Sequence, residues 1–542
     1  MRHLTFTTPG KIVTIVRAAA FVTVAAIAGS ILWQPRAAAT AAPEATFTRD
    51  IAPILQAKCV ACHRAGEVAP MALLTYEDAR PWARAIKAKV VARQMPPWFA
   101  DPAFGTFAND PSLSPTEIAT IARWVDAGAP RGDPKDMPPT PHFTEGWQLG
   151  EPDLIVDLPE IQIPATGNDY FPTPSVTLDL ADDHWIRAVE IRPSNRVVTH
   201  HSVIFCVDAD AATGGGRGSM VASGVFNVLA VWAVGTPPTV YPEGMGRWVR
   251  KGQMLRTNLH YHPNGTAQVD RTRVGLYFGK GELKKEVVAA LAGNLTFSIP
   301  PQAQNYELRA AYVADQDINV VSFFPHMHLR GQYMTMTATY PGGKHETLLN
   351  VPAYDFNWQL FYYPKTTVSL PKGTRIDLLA HYDNSAANKR NPDPTASVGF
   401  GEASTAEMMF GMFEFTAADG VSPRASNART RMEALLSSFT NSAYLVDLPL
   451  ARQTIPSVLY LPRSGEGTWY IPTLGMINVS ALKDVQWTGG TFEFSSVLRL
   501  GTGPGPYAIK GALQDDGTIH GSVKTIAADG RVPFSEFVGR QK

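Results

Sequence analysis

The chain has 542 residues, in which 48 Lys and Arg balance 48 Asp and Glu, so the formal net charge is zero. This balance argues against a strongly basic surface for nucleic acid or an anionic membrane. At about 100–200 residues per domain, the length predicts about three to five domains. The 43 Pro and 44 Gly favour a turn-rich, mostly β chain.

The first 42 residues have the pattern of an export signal. Three basic residues precede a largely apolar run (residues 18–33), which is followed by a stretch of small residues (37–42). The run is shorter than the roughly 20 residues of a membrane-spanning helix, and an uncleaved anchor is the alternative. We expect residues 1–42 to be a cleaved signal peptide and the mature protein to be periplasmic, without stable membrane insertion.

A haem-attachment motif of the form Cys-x-x-Cys-His consists of Cys59, Cys62 and His63. Two thiols at this spacing form thioethers to the haem vinyl groups, and the histidine coordinates the iron. The alternative, a structural zinc site, needs a second ligand pair that the segment lacks. Met95 is the expected distal ligand, because prolines stiffen its loop, whereas Met71 follows His63 too closely. A His/Met pair suits electron transfer.

The residues around this motif, 43–134, are predicted to form a small all-α cytochrome c-like haem domain. Helices are expected at residues 75–93 and 114–128. The second begins with a candidate capping box, in which Ser114 is the N-cap and Glu117 is its partner.

The rest of the chain is predicted to be β structure. Short alternating runs separated by Gly, Pro and Asn turns are typical of β-sandwiches. Examples are residues 185–191, 198–207, 273–278 and 334–340. A short similarity between residues 258–264 and 379–384 supports two domains in tandem. The predicted order is a linker at 135–150, two all-β sandwich (jelly-roll-like) domains at 151–300 and 301–416, and a small β-rich domain of unknown role at 417–542.

Six of the 13 histidines fall into three close pairs, which chance would rarely arrange. The pairs are His200 with His201, His260 with His262, and His326 with His328. Side chains at positions i and i+2 of a strand point to one face, so the second and third pairs can each converge on one metal. His200 and His201 point to opposite faces of an ideal strand, so sharing a metal requires either a local bulge or the use of different ring nitrogens.

Four short motifs occur in order between residues 151 and 416. They are His200-His201 in an apolar strand, Leu259-His260-Tyr261-His262-Pro263-Asn264, Pro325-His326-Met327-His328-Leu329-Arg330-Gly331 and Ala406-Glu407-Met408-Met409. This set resembles the copper type II, ascorbate-dependent monooxygenases, which include peptidylglycine α-hydroxylating monooxygenase and dopamine β-monooxygenase. The haem segment and the C-terminal part lie outside the resemblance.

The resemblance implies two copper ions beside the one covalently bound haem c. The implied ligands are His200, His201 and His260 for an electron-storing copper, and His326, His328 and Met408 for a catalytic, oxygen-activating copper. Met409 is the alternative to Met408, and His262 is the spare histidine of its pair. Imidazole suits both copper oxidation states and a thioether favours Cu(I), whereas redox-inert zinc would not use methionine.

The function that the resemblance implies is hydroxylation of a C–H bond with dioxygen. The animal enzymes are rich in disulfides and use ascorbate, whereas this chain has only Cys206 outside the haem motif and brings its own haem. Our hypothesis is that the haem supplies electrons to the first copper. The residues indicate neither the substrate, which is a small molecule or a peptide, nor the electron donor to the haem.

Two other interpretations remain open. The protein could be a periplasmic electron carrier or copper-handling protein that lacks oxygenase activity. Alternatively, the histidines could be structural and the chain a cytochrome fused to a binding module.

Overall fold

The computed structural model describes residues 44–541 except 68, 144–145, 210–227, 425–426, 451–452, 474–475, 500–503 and 527–535. The predicted signal peptide, residues 1–42, lies outside the described residues. Within the described ranges, no helix has both the length and the apolar character that crossing a membrane requires.

The N-terminal part consists of short helical elements joined by loops. They are a π-helix (Phe47–Ile51), α1 (Ala52–Lys58), α2 (Tyr76–Ala79), a 3-10 turn (Arg80–Trp82), α3 (Ala83–Val91), α4 (Pro115–Asp126) and a second 3-10 turn (Pro134–Asp136). Helix α4 begins with the capping box: the Glu117 N–H donates to the Ser114 hydroxyl, and the Ser114 N–H donates to the Glu117 carboxylate. Leu55, Ile121 and Trp124 belong to a small core.

The predicted fold class is wrong in this part of the chain, because the expected all-α cytochrome domain is not formed. The structure has only small helices here, and the longest, α4, has 12 residues. The predicted helix at 75–93 is divided by the 3-10 turn that contains Pro81. Proline lacks the N–H that a continuous α-helix needs at an interior position.

The loop between α3 and α4 packs on β structure instead of completing a helical domain. Its Phe107 forms an isolated β-bridge with Pro364. The Asn109 side-chain amide donates to the Phe361 carbonyl at 2.8 Å. Several prolines prevent this loop from being helical, and its backbone polar groups find partners in residues far along the chain.

We expect the variant Ser114→Ala to destabilise α4 by about 1 kcal/mol, because the Glu117 N–H loses its acceptor. Amide hydrogen exchange of α4 measures this effect separately from unfolding of the β structure. Thr116→Ala in the same first turn is the control and should change the stability by less than about 0.5 kcal/mol. Equal exchange rates in the two variants would contradict the capping role.

The first sheet pair is built from twelve strands. They are β1 (Leu154–Asp157), β2 (Ile161–Ile163), β3 (Ser175–Thr177), β4 (His184–Arg192), β5 (Thr199–Asp208), β6 (Val228–Ala233), β7 (Thr239–Val240), β8 (Met245–Val249), β9 (Gln253–Tyr261), β10 (Gln268–Asp270), β11 (Arg273–Phe278) and β12 (Lys285–Glu286). One sheet has the order β1-β11-β4-β8-β12 with β7 on β4, the other has the order β3-β9-β5-β6, and β10 pairs with β2. Ile186 and Val189 of the first sheet share a core with Ile204 and Leu255 of the second.

The second sheet pair follows directly. Its strands are β13 (Val288–Gly293), β14 (Ser298–Ile299), β15 (Tyr306–Val313), β16 (Ile318–Met327), β17 (Gly331–Thr339), β18 (His345–Val351), β19 (Val368–Leu370), β20 (Arg375–Tyr382), β21 (Val398–Gly399) and β22 (Met409–Ala417). The sheet β13-β22-β16-β19 packs on β18-β17-β20-β15, and β14 pairs with β21. Phe323, Phe413, Met336 and Leu378 lie in the core between them.

The two sheet pairs face each other through β5 and β22. Alternate residues of β5, including Val203 and Phe205, share a hydrophobic cluster with Leu291 of β13 and with Phe410 and Met412 of β22. Because side chains alternate across a strand, the same faces of these strands carry candidate metal-ligating side chains described below.

The C-terminal part is a closed barrel preceded by a helix. The elements are α5 (Ala428–Ser437), β23 (Ala443–Leu450), β24 (Gln453–Tyr460), β25 (Thr468–Thr473), β26 (Met476–Thr488), β27 (Thr491–Arg499), β28 (Pro504–Leu513), β29 (Ile519–Thr525) and β30 (Glu536–Arg540). Strands β26-β25-β24-β23-β30-β29-β28-β27 pair in that order, and β27 pairs back onto β26. Trp469, Phe494 and Phe537 fill the interior.

The predicted fold class is wrong here too, because it contained no closed barrel. Strand β15 pairs with β26, so one twelve-stranded sheet runs from the second sheet pair into the barrel. Closure depends on the pairing of β23 with β30, the first and last barrel strands. Short alternating runs predict strands but do not reveal such a long-range pairing.

Candidate metal centre

A β-bulge brings three of the predicted ligands together. His201 of β5 pairs with His260 of β9, and the register slips between Thr199 and His201, so His200 is the additional residue. One ring nitrogen of each histidine lies within 4.8 Å of the others. The Nδ1 atom of His201 is 3.2 Å from Nδ1 of His200 and 3.4 Å from Nδ1 of His260. These three residues are called the three-histidine cluster.

Burial keeps two histidines of this cluster in the neutral form that binds metal. Together with the neighbouring imidazoles, it lowers the pKa of His200 to about 3 and lowers the pKa of His201 well below its usual value. The Nε2 atoms of His200 and His260 are buried without a hydrogen-bond partner. The Nδ1 atoms that lie close together in this cluster can supply the lone pairs that a metal ion takes. The arrangement therefore fits a metal held by three imidazoles.

An acidic side chain and two aromatic rings surround the three-histidine cluster. The Asp169 carboxylate lies 3.0 Å from His260 Nε2, out of line for a hydrogen bond, and 2.8 Å from His262 Nδ1. Phe171 stacks on His260 at 4.3 Å, and Phe356 stacks on His200 at 4.6 Å between ring centroids. The side chain of His262 is 74% exposed and lies outside the cluster. Asp169 lies between it and His260 of the three-histidine cluster.

The second predicted ligand set lies across the interface between the sheet pairs. His326, His328 and Met408 line one cavity of about 60 Å³ together with His201. The ring centroids of His326 and His328 are 5.2 Å apart, and those of His326 and His201 are 6.2 Å apart. The cavity containing these side chains is called the histidine cavity. Both predicted metal sites therefore meet at one interface.

The structure distinguishes the two candidate methionines. Met408 belongs to the hydrophobic cluster between the sheet pairs and lines the histidine cavity. The side chain of Met409 lies on the opposite face of the strand and is fully buried in the core of the second sheet pair. This follows from strand alternation, which turns adjacent side chains to opposite faces.

Hydrogen bonds set which nitrogen each histidine presents to the histidine cavity. His326 Nδ1 is 2.9 Å from Gln359 Oε1, and His328 Nδ1 is 3.3 Å from the Ala406 carbonyl. Both partners are acceptors, so each ring donates from Nδ1 and keeps its lone pair on Nε2. Burial lowers the pKa of His326 to about 4 and lowers that of His328 well below its usual value, so both rings are neutral. Two imidazoles with a thioether fit a copper ion.

A buried carboxyl group joins the backbone of the ligands. Glu407 accepts the N–H groups of His328, Arg330 and Met408 at 2.9, 2.7 and 3.2 Å. Burial raises the pKa of Glu407 to about 8, although these hydrogen bonds oppose the increase. This side chain fixes the end of β16 against the start of β22.

The haem-attachment motif lines a second, larger cavity of about 460 Å³, with Cys59, Cys62 and His63 among the lining residues and Met95 beside them. The His63 Nδ1 atom is 3.2 Å from the Met71 carbonyl, which leaves Nε2 for a metal. The cavity is lined mainly by apolar side chains and prolines, so its size and chemistry fit a haem. It is called the haem cavity.

The walls of the haem cavity come from both sheet pairs. Val231 of β6 lines it and also lines the histidine cavity. Trp358, Leu360 and Phe361 contribute from the second sheet pair. A single layer of side chains therefore separates the haem cavity from the histidine cavity.

Three residues of this region were not predicted from the sequence: Asp169, Phe356 and Gln359. Asp169 lies in a loop without any motif. Gln359 lies in the run Phe356-Asn357-Trp358-Gln359-Leu360-Phe361, where a second amide, Asn357, is nearby, so the sequence alone does not single it out. Cys206 is buried, and burial raises its thiol pKa to about 12, in agreement with an inert thiol.

No protein-family model matches the sequence, and no characterised protein matches it. Among solved structures, the major capsid protein P2 of bacteriophage PM2 aligns with 51% of this chain and 100% of its own. The TM-score is 0.21 and the sequence identity is 9%, too low to support a conclusion about fold or function.

Proposed function

We propose that the protein is an exported, periplasmic copper-dependent monooxygenase, similar to the copper type II monooxygenases, with a covalently attached haem c as its built-in reductant. The observation that carries the proposal is the meeting of two different donor sets at one interface. Three imidazoles stand on one side, and two imidazoles with Met408 line the adjacent cavity. Copper bound there would supply one-electron chemistry and activation of dioxygen.

The protein's own residues would prepare this chemistry in three ways. The three-histidine cluster would hold one copper through Nδ1 atoms, while His326 and His328 would hold the other through Nε2. Asp169 and Glu407 would keep the ligands oriented through their contacts with His260 and His328. The apolar histidine cavity would exclude water from the site.

The lining of the histidine cavity favours an uncharged substrate. Phenylalanine, valine, leucine and methionine side chains make up most of it, and no lysine or arginine lines it within the described residues. A carboxylate substrate would need such a cation, since burying an unpaired charge is costly. Glu402 is also part of the lining, so a small uncharged molecule fits this chemistry better than a peptide carboxylate.

Copper stoichiometry tests the proposal. The purified protein should bind two copper ions per haem, and His201→Ala and His328→Ala should each bind one. Metal analysis with paramagnetic resonance of the oxidised protein measures both values. His262→Ala is the matched control and should retain two, because His262 lies outside the three-histidine cluster. A parent protein that binds no copper would overturn the proposal.

One observation favours a second candidate function, an electron carrier or copper-handling protein. The histidine cavity has a volume of only about 60 Å³, which leaves little room for a substrate beside a metal. Oxygen uptake by the reduced, copper-loaded protein separates the two functions. Uptake that rises with small apolar C–H compounds supports the monooxygenase, and its absence with two coppers bound supports the carrier.

A further inference from the structure

One segment, residues 358–365, is hydrogen-bonded to the haem part on one side and to strand β16 on the other. It is called the connecting segment. On the β16 side, the Phe323 and Tyr362 backbones exchange two hydrogen bonds of 2.9 Å. On the other side, the Ala108 N–H donates to the Tyr363 carbonyl at 2.7 Å, and the Lys365 N–H donates to the Thr106 carbonyl at 2.8 Å. The segment therefore joins the loop after the haem motif to the strand that carries His326.

Side chains of the connecting segment face both cavities. Trp358 and Leu360 line the haem cavity, whereas Gln359 between them lines the histidine cavity. The Trp358 ring lies over Gly235, whose φ is +84°, and a Cβ at that glycine would be 3.3 Å from the ring. Phe361 lines the haem cavity, and its ring centroid lies 4.5 Å from that of Phe324.

Gln359 has the geometry of a residue that fixes a ligand. Its side chain is 2% exposed, its Oε1 accepts from His326 Nδ1 at 2.9 Å, and its Nε2 lies 3.4 Å from the Phe356 carbonyl. The second contact assigns the amide orientation, because only the NH₂ group can donate to a carbonyl. The orientation of Gln359 therefore sets the tautomer and the ring angle of His326.

We infer that Gln359 is a positioning residue for the metal site at His326, and that the connecting segment makes this site sensitive to what fills the haem cavity. Trp358 and Leu360 form part of the wall that a haem would contact, and packed side chains in such a wall have few alternative rotamers. Filling the haem cavity would fix these two side chains and, with them, the Gln359 amide between them. The inference rests on the proposed copper and haem binding.

The first arm of the test measures copper affinity at the His326 site alone. All variants are made in the full-length, haem-containing protein with His201→Ala, which removes the three-histidine cluster. Gln359→Ala should weaken copper binding by about 10–100-fold, as loss of a hydrogen-bond partner of a metal ligand typically does. Gln359→Glu should restore most of the affinity, because a carboxylate also accepts from Nδ1. Gln332→Ala, which removes an exposed amide bonded to Asp383, is the control and should have no effect.

The second arm tests the coupling between the His326 metal site and the haem cavity. It follows the haem absorption spectrum during the same copper titration. Copper binding at His326 should change the haem spectrum of the His201→Ala protein. The change should be absent, even at saturating copper, when Gln359→Ala is added to the same protein. The paramagnetic resonance signal of copper should also differ between the His201→Ala protein and the same protein with Cys59→Ser and Cys62→Ser, which cannot attach haem.

The outcomes separate the inference from the proposed function. The inference is overturned if Gln359→Ala leaves the copper affinity unchanged, or if the haem spectrum does not change when copper is added. Neither result contradicts the copper proposal. Failure of the His201→Ala protein to bind any copper overturns both.

Discussion

Replacing Met408 by leucine should lower substrate-dependent oxygen uptake by about 100-fold or more. Loss of residues that merely support metal ligands already costs about 10–100-fold, and removal of a ligand should cost at least as much. The thioether of Met408 faces the histidine cavity with His326 and His328. Leucine has a similar volume and no sulfur, so the substitution removes the donor while the packing largely remains.

Met409→Leu is a closely matched control for this experiment. Met409 is adjacent in sequence and equally buried, but its side chain lies in the core of the second sheet pair. Both substitutions should cost less than about 1.5 kcal/mol of stability, because they conserve volume. Only Met408→Leu should also lose copper at the second site, as measured by metal analysis in the His201→Ala protein. Equal activity in the two variants would exclude Met408 as a ligand.

The sequence was most informative where the chemistry is local. The runs at 185–191 and 198–207 match β4 and β5 to within one residue at each end. The match is close because alternation of apolar residues is a property of neighbouring positions. The capping box at Ser114 was predicted correctly for the same reason. His326, in β16, and His328, one residue beyond its end, line one cavity, as their i, i+2 spacing predicted.

The features that were missed depend on contacts between distant residues. Asp169 meets His260 and His262 across about ninety residues of chain, and Gln359 reaches His326 from a different segment. Barrel closure likewise depends on pairing between β23 and β30. The all-α domain was expected from short helical patterns. The loop around Phe107 instead packs on the β structure, a long-range contact that such local patterns do not reveal.

The alignment of the two predicted metal sites depends on a buried polar network between the sheet pairs. The Glu414 carboxylate of β22 lies 2.9 Å from Arg247 of β8 and 3.1 Å from the hydroxyl of Tyr241. Its other oxygen accepts from the Ser322 hydroxyl of β16 at 2.8 Å. Both charged groups are more than nine-tenths buried. The network therefore joins the first sheet pair to β16, which carries His326, and to β22, which directly follows Met408.

We expect Glu414→Ala to lower the free energy of unfolding by about 3–5 kcal/mol, because Arg247 would remain as a buried charge without a partner. Denaturant unfolding followed by tryptophan fluorescence measures the loss. The double variant Arg247→Met/Glu414→Leu is the informative control. It removes both charges and should recover much of the stability, since apolar residues of similar volume often replace a buried ion pair at little cost. If the double variant is as unstable as Glu414→Ala, the loss comes from the Tyr241 and Ser322 hydrogen bonds and not from the uncompensated charge.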